Sequence, residues 1–238
     1  MSYRQWWLIA LITTASALAQ STPDQIVDKF TEAVGGRAAY EKVTTRTMKG
    51  EVTIPDDNTT GTLEVYAKAP DRYRETTDFP GYGVVEMVLA GDKGWKKDPD
   101  AGVNSMSRTD ITSNQRDHAF YMATRLKELF PKMEAAGTAD VEGHSTNVIS
   151  ATPASGPAEK LYFDAASGFL VKHDFERITL EDGIVQYEVL YRDYRDVDGL
   201  KLPFTIEQRT PDGSMIVKFA EIKNNAEVAD DRFQKPEK

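Results

Sequence analysis

Three histidines are the side chains best able to move a proton or bind a transition metal at neutral pH: His118, His144 and His173. His118 stands beside a run of helical periodicity, His144 in a Glu-Gly-His turn, and His173 on an alternating strand. None has a carboxylate or a second histidine at metal-ligand spacing, and no His-Glu-x-x-His, Gly-x-Ser-x-Gly or phosphate-loop motif occurs. They read as surface or core histidines rather than as ligands or bases. A hydrolase assembled from residues distant in sequence stays open, because triads are recognised by geometry. Cysteine is absent, which removes thiol nucleophiles, disulfides, thiolate metal sites and lipidation at an N-terminal cysteine. The expectation is a protein that is not an enzyme, with no catalytic residue, no metal and no cofactor.

Other polar groups point the same way. Asp196-x-Asp198-Gly199 invites a calcium-loop reading, but the loop's first position then falls on Tyr194 and its twelfth on Thr205, where a carboxylate is needed. A plain turn is the better account. Glu176, Arg177, Glu188, Arg192 and Asp193 read as the solvated face of a sheet, with cross-strand pairing of small value. The formal charge of -9 and the lack of any basic cluster longer than Lys96-Lys97 argue against nucleic acid as a partner.

Apolar and aromatic residues carry more information. Tyr66, Trp95, Tyr187 and Tyr191 sit on apolar-alternating strands, where they are either ordinary packing or a cavity wall that meets lipid. With Met87, Phe120, Leu126 and Phe204 they form the candidate lining of an apolar ligand site.

The elements that must position these residues are mostly strands. Val185, Tyr187, Val189 and Tyr191 alternate with polar neighbours, Asp196-Val-Asp-Gly199 turns the chain, and Leu200, Leu202, Phe204 and Ile206 alternate again, the signature of a hairpin with one buried face. Strands are also expected over Met48–Ile54, Thr62–Lys68, Tyr73–Thr77, Gly83–Leu89, a stretch at Trp95, Ala139–Ala151, Glu159–Asp164, Phe169–Ile178 and Met215–Lys223. Two stretches depart from this pattern. Thr22-Pro-Asp-Gln25 has the form of a capping box opening a helix that Gly35-Gly36 stops. Ser113–Phe130 repeats at helical spacing until Pro131.

Met1–Ala19 carries Arg4, a short apolar run and Ala17-Leu18-Ala19, the small-x-small form of a signal peptidase site. The apolar run of about ten residues is too short for a bilayer that needs roughly 20. Residues 1–19 are therefore expected to be a cleaved leader, and 20–238 a single exported domain. The fold class expected is mainly β (α+β): one strongly curved antiparallel sheet of about eleven strands with helices covering its concave side.

Three stretches, Gly91–Asp100, Leu161–Leu170 and Tyr194–Pro203, taken in order with a helical region between them, resemble the LolA-like outer-membrane lipoprotein-sorting family. The resemblance covers nearly all of Gln20–Pro236. It implies a periplasmic protein folded as an unclosed half-barrel whose hydrophobic interior holds acyl chains under a helical lid. The partners it implies are an acyl-bearing ligand, lipoprotein or lipid, and a membrane-associated donor or acceptor protein; a monomer is expected. A sensor or protein-interaction module on the same scaffold is the alternative, because a shared fold hosts unrelated functions.

Overall fold

The computed structural model describes residues 21–179 and 183–237, so the leader expected over residues 1–19 lies outside the described residues. The chain opens with α1 (Pro23–Ala33). The Gln25 amide donates to Thr22 Oγ1 at 3.3 Å and the Thr22 amide donates to Gln25 Oε1 at 2.9 Å, the reciprocal box that the sequence predicts. Helical spacing puts Ile26, Phe30 and Val34 on one buried face, each worth ~1.5–3 kcal/mol relative to exposure. A single turn, α2 (Arg37–Tyr40), follows and buries Tyr40.

A first meander runs through β1 (Thr45–Ile54), β2 (Thr59–Lys68), β3 (Arg72–Phe79), β4 (Gly83–Ala90), β5 (Lys93–Asp98) and β6 (Gly102–Ser105). Then come α3 (Arg108–Asp117) and α4 (Met122–Leu129). A second meander runs through β7 (Lys132–Val141), β8 (His144–Thr152), β9 (Glu159–Asp164), β10 (Leu170–Thr179), β11 (Gly183–Val197), β12 (Leu200–Thr210) and β13 (Gly213–Asn224). All belong to one sheet in the order β6-β5-β4-β3-β2-β1-β13-β12-β11-β10-β9-β8-β7. The first and last strands therefore meet in the middle of the sheet. Its free edges, β6 and β7, are separated in the chain only by α3 and α4. A twisted sheet of this width curls rather than lying flat; it stays unclosed, and the helices lie over its concave face.

The turns follow from backbone chemistry. Asp198 and Gly199, at φ 55° and 83°, form the two-residue connection with both central residues left-handed that suits strand twist, and the Gly199 amide donates to Asp196 Oδ1 at 3.1 Å. At the β1–β13 seam the register shifts between Lys49 and Gly50. A Cβ on Gly50 would stand 2.1 Å from the Lys218 carbonyl oxygen, so a side chain there would push the seam apart.

Strand alternation divides the side chains between two faces. On the concave face Val52, Leu63, Val65, Leu89, Ile149, Leu161, Phe163 and Leu202 join Phe30 of α1 and Phe120, Ala123 and Leu126 of the helical segment in one core. On the convex face Val141, Val148, Tyr162 and Leu190 form one small cluster. Val88, Val228 and Phe233 form another, where the C-terminal segment folds back on β2–β5. Lys68 and Arg72 hold that segment through Asp230 at 2.6 and 2.8 Å.

Two strands exceed the sequence expectation of about eleven. Gly102–Ser105 is four residues long and polar. Lys132–Val141 is Ala- and Gly-rich with most of its residues exposed, so neither shows apolar alternation. The helical run expected over Ser113–Phe130 starts earlier and divides into α3 and α4 at His118–Tyr121. Among the described residues no helix is long and apolar enough to cross a membrane.

Candidate functional site

The first helix of the segment that joins the two sheet edges, α3, is held by polar contacts, whereas α4 docks through buried Ala123 and Leu126. α3 buries none of its residues, and its sequence, Arg-Thr-Asp-Ile-Thr-Ser-Asn-Gln-Arg-Asp, has no apolar stripe that could dock it by hydrophobic burial. Ser107 caps it, accepting from the Asp110 amide at 3.1 Å. On one side Gln115 donates to the Gly91 carbonyl in the β4–β5 turn, and the His118 ring stacks on Tyr73 of β3 at 4.2 Å. On the other side Arg116 and Asp117 reach β9 and β10. α3 is a strap tied to both halves of the sheet.

The second attachment is a buried ionic cluster. Alternation along β9 and β10 turns Glu159, His173 and Arg177 to the concave face. Glu159, whose side chain is 0% exposed, accepts from Arg116 Nη2 at 2.6 Å and Arg177 Nη1 at 3.3 Å on one oxygen, and from His173 Nε2 at 2.6 Å on the other. Arg177 Nη2 also donates to both oxygens of Asp117 at 2.8 and 2.7 Å. Burial by itself would raise the Glu159 carboxyl, but the His173 hydrogen bond and the charges of His173, Arg116 and Arg177 outweigh it and hold the pKa below its usual 4.5. Aromatic rings complete the cluster: Arg177 lies 4.0 Å from the Phe175 centroid, Phe175 stacks on Tyr187 at 5.1 Å, and Arg116 lies 5.7 Å from the Phe130 centroid. Burial, then the charges of Asp117 and Glu159, push the Tyr191 phenol well above its ordinary value.

This arrangement ties elements together. The two arginines saturate the carboxylates, and among the described residues no group of three or more His, Asp or Glu could hold a metal ion. Arg177 is a correction to the sequence reading: expected on the solvated face, its side chain is 19% exposed and turned inward. Its partners are 60 and 18 residues away, so nothing local announces them.

Phe120, Ala123 and Leu126 fill the concavity over the sheet. Two depressions lie at its periphery. One, of about 610 Å³, opens at the end of the sheet beside the β11–β12 turn, where Val197, Phe204, Ile222 and Asn224 line it. The other, of about 220 Å³, lies between α1 and α4 and is lined largely by charged residues, among them Asp28, Arg37 and Lys127.

The residues singled out from sequence separate into two places. Met87, Phe120, Leu126, Tyr191 and Phe204 meet in or against the concave core. Tyr187 shares that face by register but stands farther out, against Phe175. Tyr66 and Trp95 are on the opposite face, packed against Val88, Val228 and Phe233, with Arg232 over the Tyr66 ring at 5.0 Å. Alternation reveals that a strand has two faces without saying which is concave. The C-terminal segment supplies apolar cover for the other one.

No protein-family model matches the sequence, and no curated protein matches it. Solved structures match it in fold. A DUF1329 family protein from Desulfovibrio piger is 11% identical with a TM-score of 0.60, over 89% of this chain and 96% of that one. A LolA superfamily protein from Nitrosomonas europaea is 13% identical with a TM-score of 0.58, over 90% and 98%. A putative outer membrane lipoprotein-sorting protein domain from Vibrio parahaemolyticus is 12% identical with a TM-score of 0.57, over 88% and 95%. The chain has the LolA-like fold.

Proposed function

We propose that this chain, built on the LolA-like fold, is a non-enzymatic binding protein or carrier for an acyl-bearing ligand, exported to the periplasm when its leader is removed. The observation that carries the reading is the helical segment between the two sheet edges. It covers an apolar concave face, yet α3 is attached by hydrogen bonds and ion pairs at its two flanks. Opening at α3, followed by withdrawal of the buried Phe120 and Leu126, exposes a continuous apolar wall to an acyl chain. The wall rewards long chains, at up to ~0.8 kcal/mol per buried methylene before ordering costs are subtracted. The ligand's source and destination would be membrane-associated proteins.

The filled interior favours a second reading, a sensor or protein-interaction module with a solid core. Native mass spectrometry of protein purified without detergent separates the two, as does titration with fluorescent acyl probes of increasing chain length. The carrier reading expects co-purified lipid, affinity that climbs with chain length, and hydrogen exchange in α3 and α4 that changes on ligand addition. Affinity independent of chain length would overturn it and leave the interaction module.

A further inference from the structure

Arg46 is a cation whose charge the fold leaves unanswered. It lies on the concave side of β1, opposite Ala67 of β2 and Asn224 of β13. Its Nε donates to Asn224 Oδ1 at 2.9 Å, and its guanidinium carbon is 5.4 Å from the centroid of Phe120, at the α3–α4 junction. One terminal nitrogen, Nη2, is buried without a hydrogen-bond partner, and among the described residues no carboxylate pairs with this arginine. Tyr40 is the titratable neighbour that interacts with it, and burial pushes that phenol's pKa up. Tyr40 therefore stays neutral and supplies no counter-charge. The contrast is with Arg116 and Arg177, inward-facing arginines that each meet a carboxylate.

A buried guanidinium with an idle donor is costly to keep, since arginine does not escape by losing its proton. It is tolerable where a ligand supplies the missing anion. The position suits one: Asn224, which orients Arg46, also lines the 610 Å³ depression together with Phe204 and Ile222 of the apolar core. Arg46 does not line the depression itself; it stands behind Asn224, on the apolar concave face and beside Phe120 of the helical cover.

We propose that Arg46, oriented by Asn224, binds the anionic head group of an amphiphilic ligand, a carboxylate or phosphate, whose chain lies along the concave face. This assignment rests on the acyl-binding reading above and sharpens it from any acyl ligand to an acidic one. Arg46 Nη2 donates to the head-group oxygen in the fork geometry that guanidinium offers to carboxylate and phosphate.

The test is a pair of probes of identical chain, a long-chain fluorescent fatty acid and its methyl ester, titrated against purified wild type, Arg46→Met and Arg46→Lys. Wild type is expected to bind the acid about tenfold or more tightly than the ester. Arg46→Met is expected to bring the acid down to the ester's affinity while leaving the ester's unchanged, and Arg46→Lys to keep part of the preference. Equal affinity of wild type for acid and ester overturns the head-group site and leaves acyl binding standing. This comparison needs no variant to fold. Failure of both probes to bind removes the acyl reading and the anchor with it. Acetate is the control: if it raises the wild-type melting temperature as much as the fatty acid does, the site is for a small anion and the amphiphile assignment is overturned.

Discussion

Arg116 of α3 donates to Glu159 of β9 at 2.6 Å, and the carboxylate it meets has no solvent exposure. The helical cover is thus tied to the sheet through a charge that cannot turn to water when its partners leave. The same carboxylate holds His173 and Arg177, so one side chain links α3, β9 and β10.

Removing that charge should be felt globally. Glu159→Gln leaves Arg116 with only the more distant Asp117, at 3.7 Å, and Arg177 with Asp117 alone, and loss of one partner from a buried pair costs ~3–5 kcal/mol. Urea unfolding measures this. A variant within ~1 kcal/mol of wild type would show that the strap is secured elsewhere.

Acid should loosen the same joint. The folded-state pKa of Glu159 is held below 4.5, so the cluster's contribution is fully present above that value and is lost as pH falls through the lowered one. Binding of an apolar dye is expected to rise in a step below pH 4.5 in wild type. Glu159→Gln should bind the dye already at neutral pH and lack that step. A step of equal size in both proteins would assign the transition to other carboxylates.

Two aromatics should behave differently because they occupy opposite faces. Trp95→Ala, in the cluster under the C-terminal segment, is expected to lower stability by ~1–3 kcal/mol and to leave acyl-probe affinity unchanged. Tyr191→Asp, against the concave core, should weaken acyl binding about tenfold or more in protein that remains folded. Circular dichroism with probe titration on both variants checks this; the reverse pattern would put the ligand on the convex face.

The seam makes its own demand. Gly50→Ala places a methyl against the Lys218 carbonyl and should cost ~1–3 kcal/mol through forced backbone movement. Unchanged thermal stability would mean that β1 and β13 can separate locally at no expense.

Much of the fold is legible in the sequence because its contacts are local. The Thr22–Gln25 box, the Asp198-Gly199 turn and the Tyr187–Ile206 hairpin each need only a few neighbouring residues to be recognised. Lys132–Val141 is not legible: an exposed edge strand has no buried face to print as alternation. The ionic cluster is invisible for a different reason. Glu159 reads as one polar residue beginning a strand and Arg177 as a solvated one. Their bonds to Arg116 and Asp117 depend on α3 being laid across the sheet, 43 and 60 residues away in the chain. Tyr66 and Trp95 show the remaining difficulty. Their strands were recognised, but which side is covered by helices is settled by topology, and the C-terminal segment that shelters them has too little periodicity to be placed.

The strand order also dictates an order of assembly. Every neighbouring pair but one joins consecutive strands and can form as a hairpin while the chain is being made; the exception is β1 against β13. Two partial sheets, one ending at β6 and one starting at β7, can therefore exist before they recognise each other, and the last strand synthesised is the one that unites them. Until then the central strand β1 lacks a neighbour on one side and is open to wrong pairing. High contact order is concentrated in this single pairing, so completion of the sheet, and with it closure of the helical cover over both halves, waits for β13.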